Sequence, residues 1–275
     1  MWRNFICLAL LGLTALGGAS AQTLSKETVV LETSLGTMKL KLFEETPLHK
    51  ANFLKLVKEG VYDSLLFHRV INNFMIQGGD PLSKRAKAGD SLGHGDLGYT
   101  IPAEFRPELI HKKGRLCAAR ESDDINPKMA SSASQFYLVM GKQRGPEDLK
   151  KYEDRINKAT YSRCARAFMN SGEGSALRQT YNRLKSAGMN DSAAIVNALI
   201  EAGVKSCFEK TGPYHFSPFQ VETYTTLGGT PHLDGSYTVF GEVIEGMDLI
   251  DKIAAVKTDK RDRPLEDIRM KMHIE

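Results

Sequence analysis

Short runs in which apolar and polar residues alternate punctuate the first half of the chain. Thr28–Thr33 and Thr37–Leu42 flank Ser34-Leu35-Gly36, and Met38, Leu40 and Leu42 share one face of the second run. Period-two alternation on both sides of a short turn predicts a β-hairpin. Thr46-Pro47 then supplies a cap and an N1 proline before Leu48–Glu59, where Ala51, Leu54 and Val57 form a narrow apolar stripe that Gly60 ends. This predicts a short amphipathic helix. Strand-like runs follow at Leu65–Val70, Phe74–Gln77, Gly114–Ala119, Gln135–Met140, Thr238–Val243 and Ile268–Ile274, with a second helix over Met247–Ala255. Many short strands with Gly-rich turns and only two helices predict a mainly β fold, a closed eight-stranded antiparallel barrel rather than a parallel α/β sheet.

Residues 142–229 have another texture. Glu147–Phe168, Ser175–Ser186 and Asp191–Ala202 carry helix formers with apolar positions at the helical period, Pro218 starts a further short turn to Tyr224, and Gly228-Gly229 closes the segment. The expected organisation is one domain over residues 22–275 with an α-helical insertion at 142–229, whose 13 Lys+Arg exceed its 9 Asp+Glu and which could serve a protein partner.

The 275 residues are 41% hydrophobic and 25% charged, which excludes a collagen-like or wholly disordered chain. A net charge of +4 lacks the basic footprint of nucleic-acid binding. Met1-Trp2-Arg3-Asn4, the apolar run Phe5–Gly18 and the triplet Ala19-Ser20-Ala21 have the form of an export signal cleaved after Ala21, and no later stretch is long and apolar enough to hold the chain in a membrane. The expected location is the bacterial periplasm, with secretion second; the C-terminal Met272-His273-Ile274-Glu275 carries no retention motif for an endoplasmic reticulum. Beyond the leader stand Cys117, Cys164 and Cys207. In an oxidising compartment we expect a Cys164–Cys207 bridge between insertion helices, with Cys117 a small buried residue on a strand.

The segment Phe67-His68-Arg69-Val70-Ile71-Asn72-Asn73-Phe74-Met75-Ile76-Gln77-Gly78-Gly79-Asp80-Pro81 resembles the signature of the cyclophilins, the peptidyl-prolyl isomerases. Leu116-Cys117-Ala118-Ala119-Arg120, Ser134-Gln135-Phe136-Tyr137, Leu233-Asp234-Gly235 and Val239-Phe240-Gly241 are similar to further strands and loops around that family's pocket. The resemblance runs from about Thr28 to Glu275, interrupted by residues 142–229, and implies a barrel capped by two helices that accelerates X-Pro rotation in exported, folding proteins.

Rotation of an X-Pro amide breaks no bond and requires no cofactor; its barrier of about 18 to 20 kcal/mol is lost resonance. At the twisted transition state the prolyl nitrogen gains a lone pair, so a fixed, permanently charged donor aimed at it favours the transition state over either planar form. By resemblance Arg69 is that donor, Phe74, Met75, Tyr137 and Leu233 line the slot for the ring, and Gln77 and Gln135 orient the guanidinium and bind substrate backbone. Ala119 and Arg120 would offer main-chain partners to an extended peptide. His232 stands where many members have Trp, Tyr237 where many have His, and Arg120 where many have Asn. His232 is expected at the pocket rim and Tyr237 as a substrate hydrogen bonder, with weakened cyclosporin binding. His68 is either a structural hydrogen bonder or a participant. Without the signature, Phe74 and Met75 read as barrel core and Arg69 as a surface ion-pair partner.

Gly89-Asp90-Ser91-Leu92-Gly93 also fits a nucleophile elbow and Gly93-His94-Gly95-Asp96-Leu97-Gly98 a dinucleotide fingerprint, but neither has the required strand before it and helix after it. The seven histidines show no ligand spacing beside a cysteine or carboxylate cluster, so no metal site is expected. The alternative function is a weakly catalytic or non-catalytic periplasmic chaperone that grips proline-containing chains through the helical insertion.

Overall fold

The computed structural model describes residues 27–275; the leader and its cleavage site lie outside the described residues. Strands β1 (Thr28–Thr33) and β2 (Gly36–Leu42) form the expected hairpin, with Thr33 paired to Gly36 across a two-residue turn. They are followed by α1 (Pro47–Lys58), β3 (Phe67–Ile71), β4 (Met75–Gly78), β5 (Thr100–Ile101), β6 (Arg115–Ala118), β7 (Ser131–Ser132) and β8 (Phe136–Val139). Four helices come next: α2 (Pro146–Met169), α3 (Gly172–Ser186), α4 (Asn190–Thr211) and α5 (Pro218–Thr226). The chain ends with β9 (Val239–Glu245), α6 (Asp248–Ala254) and β10 (Met270–Ile274).

Eight strands form one antiparallel sheet in the order β10-β1-β2-β9-β6-β8-β4-β3. Its two edges meet: Ser64 N–H donates to Met270 O at 2.9 Å, Met270 N–H to Leu65 O at 2.8 Å and Phe67 N–H to Ile268 O at 3.0 Å. Joining the edges removes the unpaired backbone groups that an open sheet would expose. The enclosed core centres on Phe136, which meets Phe53, Tyr62 and Phe67 edge-on. Helix α1 adds Phe53, Leu54 and Val57, and α6 adds Leu249, Ile250 and Ile253. β5 and β7 pair only with each other and carry too few residues for any period to reveal.

Two local expectations change. Thr46 stands at the N-cap of α1, but its hydroxyl donates back to Phe43 O. The cap comes from far downstream, where the Glu104 carboxylate accepts from Leu48 N at 3.2 Å and His49 N at 3.0 Å, complementing the helix dipole. Helix α4 passes the expected stop at Ala202 and runs to Thr211. Gly203 is not a breaker there but the point of close approach to α2: a Cβ at that position would lie 2.2 Å from the Phe168 ring.

Cys164 on α2 and Cys207 on α4 form the expected disulfide, with Cα atoms 5.6 Å apart, and Cys117 is free and fully buried. Closing a loop of 43 residues stabilises by about 4 kcal/mol in the chain-entropy picture. Alkylation of the unfolded, unreduced chain without residues 1–21 should therefore label Cys117 alone, as read by mass spectrometry. Three labelled cysteines would overturn the bridge.

Candidate active site

Arg69, Met75, Gln77 and Tyr137 stand on the outer face of the neighbouring strands β3, β4 and β8, and Phe74, Ala119, Arg120, Gln135, Leu233 and Tyr237 stand on the segments beside them and beside β6 and β9. Strands β6 and β8 are buried along their whole length because both their faces are covered. Leu116, Ala118, Phe136 and Leu138 enter the barrel core, while Cys117, Tyr137 and Val139 join Met75 and Val239 in a separate outer cluster. The pleat sends alternate side chains to opposite faces, so one register fills the core and floors the pocket together.

That outer cluster lines a pocket of about 150 Å³ with walls from Phe74, Met75, Ala119, Tyr137, Leu233 and Tyr237 and with Arg69, Gln77 and Arg120 at its edge. An apolar cavity of about this size accommodates one benzene-sized ring. A wider groove of about 610 Å³ shares Gln77, Ala119 and Arg120 with it and reaches Gln135, Tyr99 and the Gly93–Gly98 loop. Gly79 lets the chain turn beneath: its φ is +90° and a Cβ there would meet Ser134 O at 2.2 Å.

Arg69 is half exposed and held by a directional chain of amides. Gln135 Nε2 donates to the carbonyls of Gly93 at 3.1 Å and Gly95 at 2.8 Å, which turns Gln135 Oε1 toward Gln77 Nε2 at 3.1 Å. Gln77 must then present its own oxygen to Arg69 Nη1, at 3.5 Å. From the other side the Asp262 carboxylate lies 3.7 Å from Arg69 Nε. Asp262 has φ +63°, and its carbonyl accepts from Val70 N–H at 2.7 Å, anchoring this strained turn beside β3.

Tyr137 is fixed through its hydroxyl. His111 Nδ1 pairs with Asp234 Oδ1 at 2.8 Å, which makes Nδ1 the donor and leaves Nε2 to accept from the Tyr137 hydroxyl at 3.1 Å. Asp234 Oδ1 also accepts from His111 N, and its Oδ2 accepts from Tyr224 at 2.7 Å, Gln220 at 3.3 Å and Tyr214 at 3.4 Å. Burial and this carboxylate hold the Tyr224 hydroxyl far above the ordinary tyrosine range.

Three of the expected contributors sit differently. His232 does not line the pocket; it is stacked between Phe74, at 5.6 Å, and Tyr152 of α2, at 5.3 Å. His68 points to the opposite side of β3 from Arg69 and is buried beside Asp80 and the Gly93 loop, where neither ring nitrogen has a hydrogen-bond partner, so it packs away from the pocket without acting as the expected hydrogen bonder. Ala119 contributes its methyl group, but its N–H already donates to Gln135 O and its carbonyl accepts from Ser132 N. The sequence reading missed Asp262, His111, Tyr152 and Asp123; the period of the strands carries no trace of them, since each reaches the site from a loop or from the helical segment. No strand or helix occurs within Gly89–Gly98, so neither glycine motif has its required setting.

An antiparallel barrel with an external ring-sized pocket, walled by aromatic and aliphatic side chains and bordered by a guanidinium, defines the class of fold and site. The chain belongs to the cyclophilin-type peptidyl-prolyl cis-trans isomerase/CLD family, whose model it matches over residues 28–153 and 155–274. It is 29% identical over 241 residues to a Staphylococcus haemolyticus protein provisionally named peptidyl-prolyl cis-trans isomerase, covering 87% of this chain and 86% of that one. It is also 29% identical over 244 residues to a Streptococcus pyogenes protein provisionally named bifunctional phosphatase/peptidyl-prolyl cis-trans isomerase, covering 87% of this chain but only 37% of the relative's length. The crystal structure of a Cryptosporidium parvum cyclophilin type peptidyl-prolyl cis-trans isomerase shares the fold, with a TM-score of 0.50 and 21% identity over 90% of this chain and 97% of that one.

Burial lowers the imidazoles of His68 and His232 from 6.5 to about 4. Because both folded values lie below the unfolded one, the unfolded chain takes up protons first. The stability contributed by the neutral rings is complete above about pH 6.5 and is lost as pH falls toward 4, by about 2 kcal/mol for each ring at about pH 5. The urea midpoint should fall between pH 7.5 and pH 5, and His232→Phe, which keeps a flat ring without a titrating group, should reduce that fall. An unchanged midpoint in the parent would refute the assignment.

Proposed function

We propose that this protein accelerates cis-trans rotation of X-Pro bonds in exported, folding polypeptides, with Arg69 stabilising the twisted amide. The observation that carries this reading is the Arg69 guanidinium at the mouth of a pocket sized for one pyrrolidine ring. The proline ring packs against Phe74, Met75, Tyr137 and Leu233, which holds it while the acyl side turns. The peptide N-terminal to proline lies along the wider groove, with Gln135 and the main chain of Arg120 at its side. As the amide twists, Arg69 donates to the pyramidal prolyl nitrogen, and the Gln77–Gln135 chain keeps the guanidinium aimed. The export signal at residues 1–21 and the periplasmic address belong to the same proposal, resting on the charge, apolar run and small-residue triplet of the leader.

Loss of one preorganised electrostatic donor reduces rate about a hundredfold or more. Arg69→Ala should lower kcat/KM for a proline tetrapeptide to that extent, and Arg69→Lys should recover little because a compact ammonium lacks the planar fork. A coupled or exchange-NMR assay checks both. Activity of the alanine variant within about threefold of the parent would overturn the role of Arg69. A parent that binds the peptide without turnover would favour the chaperone reading.

A further inference from the structure

Phe74 and Tyr237 form two of the pocket walls, and neither is held by the barrel alone. The Phe74 ring is backed by His232, and His232 by Tyr152 on the second turn of α2, with ring planes within 25° of one another at each contact. The Arg144 guanidinium lies 5.3 Å over the Tyr152 ring. On the other wall the Arg120 guanidinium lies 4.5 Å over Tyr237 while its Nε donates to Ser236 O at 2.8 Å. Arg120 is fixed in turn by Asp123 at 2.8 Å, and Asp123 receives Arg166 at 3.3 Å and Arg163 at 3.8 Å, both from α2. Tyr152 and Arg163 are 11 positions apart, about 16 Å along one helix. Between them Asn157 pairs with both backbone groups of Tyr214, at 3.0 and 2.7 Å, and just beyond Arg163 the Cys164 disulfide ties α2 to α4.

We propose that α2 is a brace that sets the separation of the two pocket walls, with Tyr152 and Asp123 as positioning residues for the isomerase site. The inference rests on the isomerase reading for its function but on these contacts for its geometry. His232 lies on a three-residue 3-10 turn and Asp123 in a segment with neither strand nor helix, so neither has a regular backbone ladder of its own to hold it. A wall made of such side chains is ordered only by what stands behind it. Ordering the walls before substrate arrives removes that cost from binding. One helix in contact with the backing of both walls, His232 behind Phe74 and Asp123 behind Arg120, also couples them: a displacement of α2 changes the support of both.

The test is peptide affinity, KM and kcat for a proline tetrapeptide in Tyr152→Ala, Tyr152→Phe and Asp123→Ala, each with its melting temperature. Both alanine variants should raise KM and the peptide Kd about three- to tenfold, the range one aromatic or ionic contact supplies, with kcat within about twofold. Tyr152→Phe keeps the ring and should stay within about 1.5-fold of the parent. If Tyr152→Ala does not fold, Tyr152→Leu preserves apolar volume without a flat stacking face and is read in its place. Lowered melting temperatures with unchanged KM and Kd would overturn the brace. Because Kd is measured alongside turnover, a parent without isomerase activity would sink the isomerase reading while the brace is still decided by the affinities.

Discussion

The site depends on one constraint: β6 and β8 carry apolar side chains on both faces within a single closed sheet. The inner set, Leu116, Ala118, Phe136 and Leu138, is fully surrounded, and of the outer set Cys117 is buried beneath the pocket cluster while Tyr137 lines the cavity. A slip of one residue in either strand would exchange the two sets and expose core side chains on the pocket side. Closure opposes such a slip, because the edge strands are already joined through Ser64, Leu65 and Phe67. The position of the pocket is therefore fixed by the same packing that stabilises the barrel.

The polar parts obey a second rule, that a buried charge must be surrounded by donors. Asp234 is 5% exposed, and its two oxygens divide between parts of the chain. One serves His111, which reaches the pocket floor through Tyr137; the other serves Tyr214, Gln220 and Tyr224 from the segment between β8 and β9. Removing the donors on either side would leave the carboxylate partly unsatisfied, so a single atom group couples the orientation of the floor to the seating of the helices. Arg69 is treated oppositely. It stays half exposed, where keeping its charge carries little desolvation cost, and its direction comes from a chain of amides whose polarity is set at the far end by two backbone carbonyls.

The hairpin, the two barrel helices and six strands were legible because each has a clear period or a Gly or Pro boundary. The signature and three shorter segments contain eight of the nine residues that line the small pocket, and Tyr237 came from its place between two of those segments; Arg69, Met75, Gln77 and Tyr137 lie on strands whose register the pattern fixes, while Phe74, Ala119, Arg120, Leu233 and Tyr237 lie on the turns beside them. Illegible were features made by approach in space. The cap on α1 comes from Glu104, the continuation of α4 through Gly203 depends on Phe168, and Asp262 meets Arg69 from the far end of the chain. His232 shows the limit of carrying a position across by resemblance. Its place in Pro231-His232-Leu233 suggested the rim, but the segment between β8 and β9 puts Tyr152 against it, and the imidazole becomes packing material between two rings.

That displacement changes what the helical segment is for. A region attached only by its two ends could be lost with little effect on the pocket, whereas this one is joined to the barrel through a buried carboxylate, an aromatic stack and an ion cluster at Asp123. The contacts fall on α2 and α5, while α3 and most of α4 face away with Ile195 and Leu199 exposed. The segment thus has an inner half committed to the barrel and an outer half whose side chains are uncommitted. Under the proposed function, changes in the outer half can alter what the protein contacts while the inner half preserves the geometry around the proline, so substrate rotation and surface recognition can vary independently within one chain.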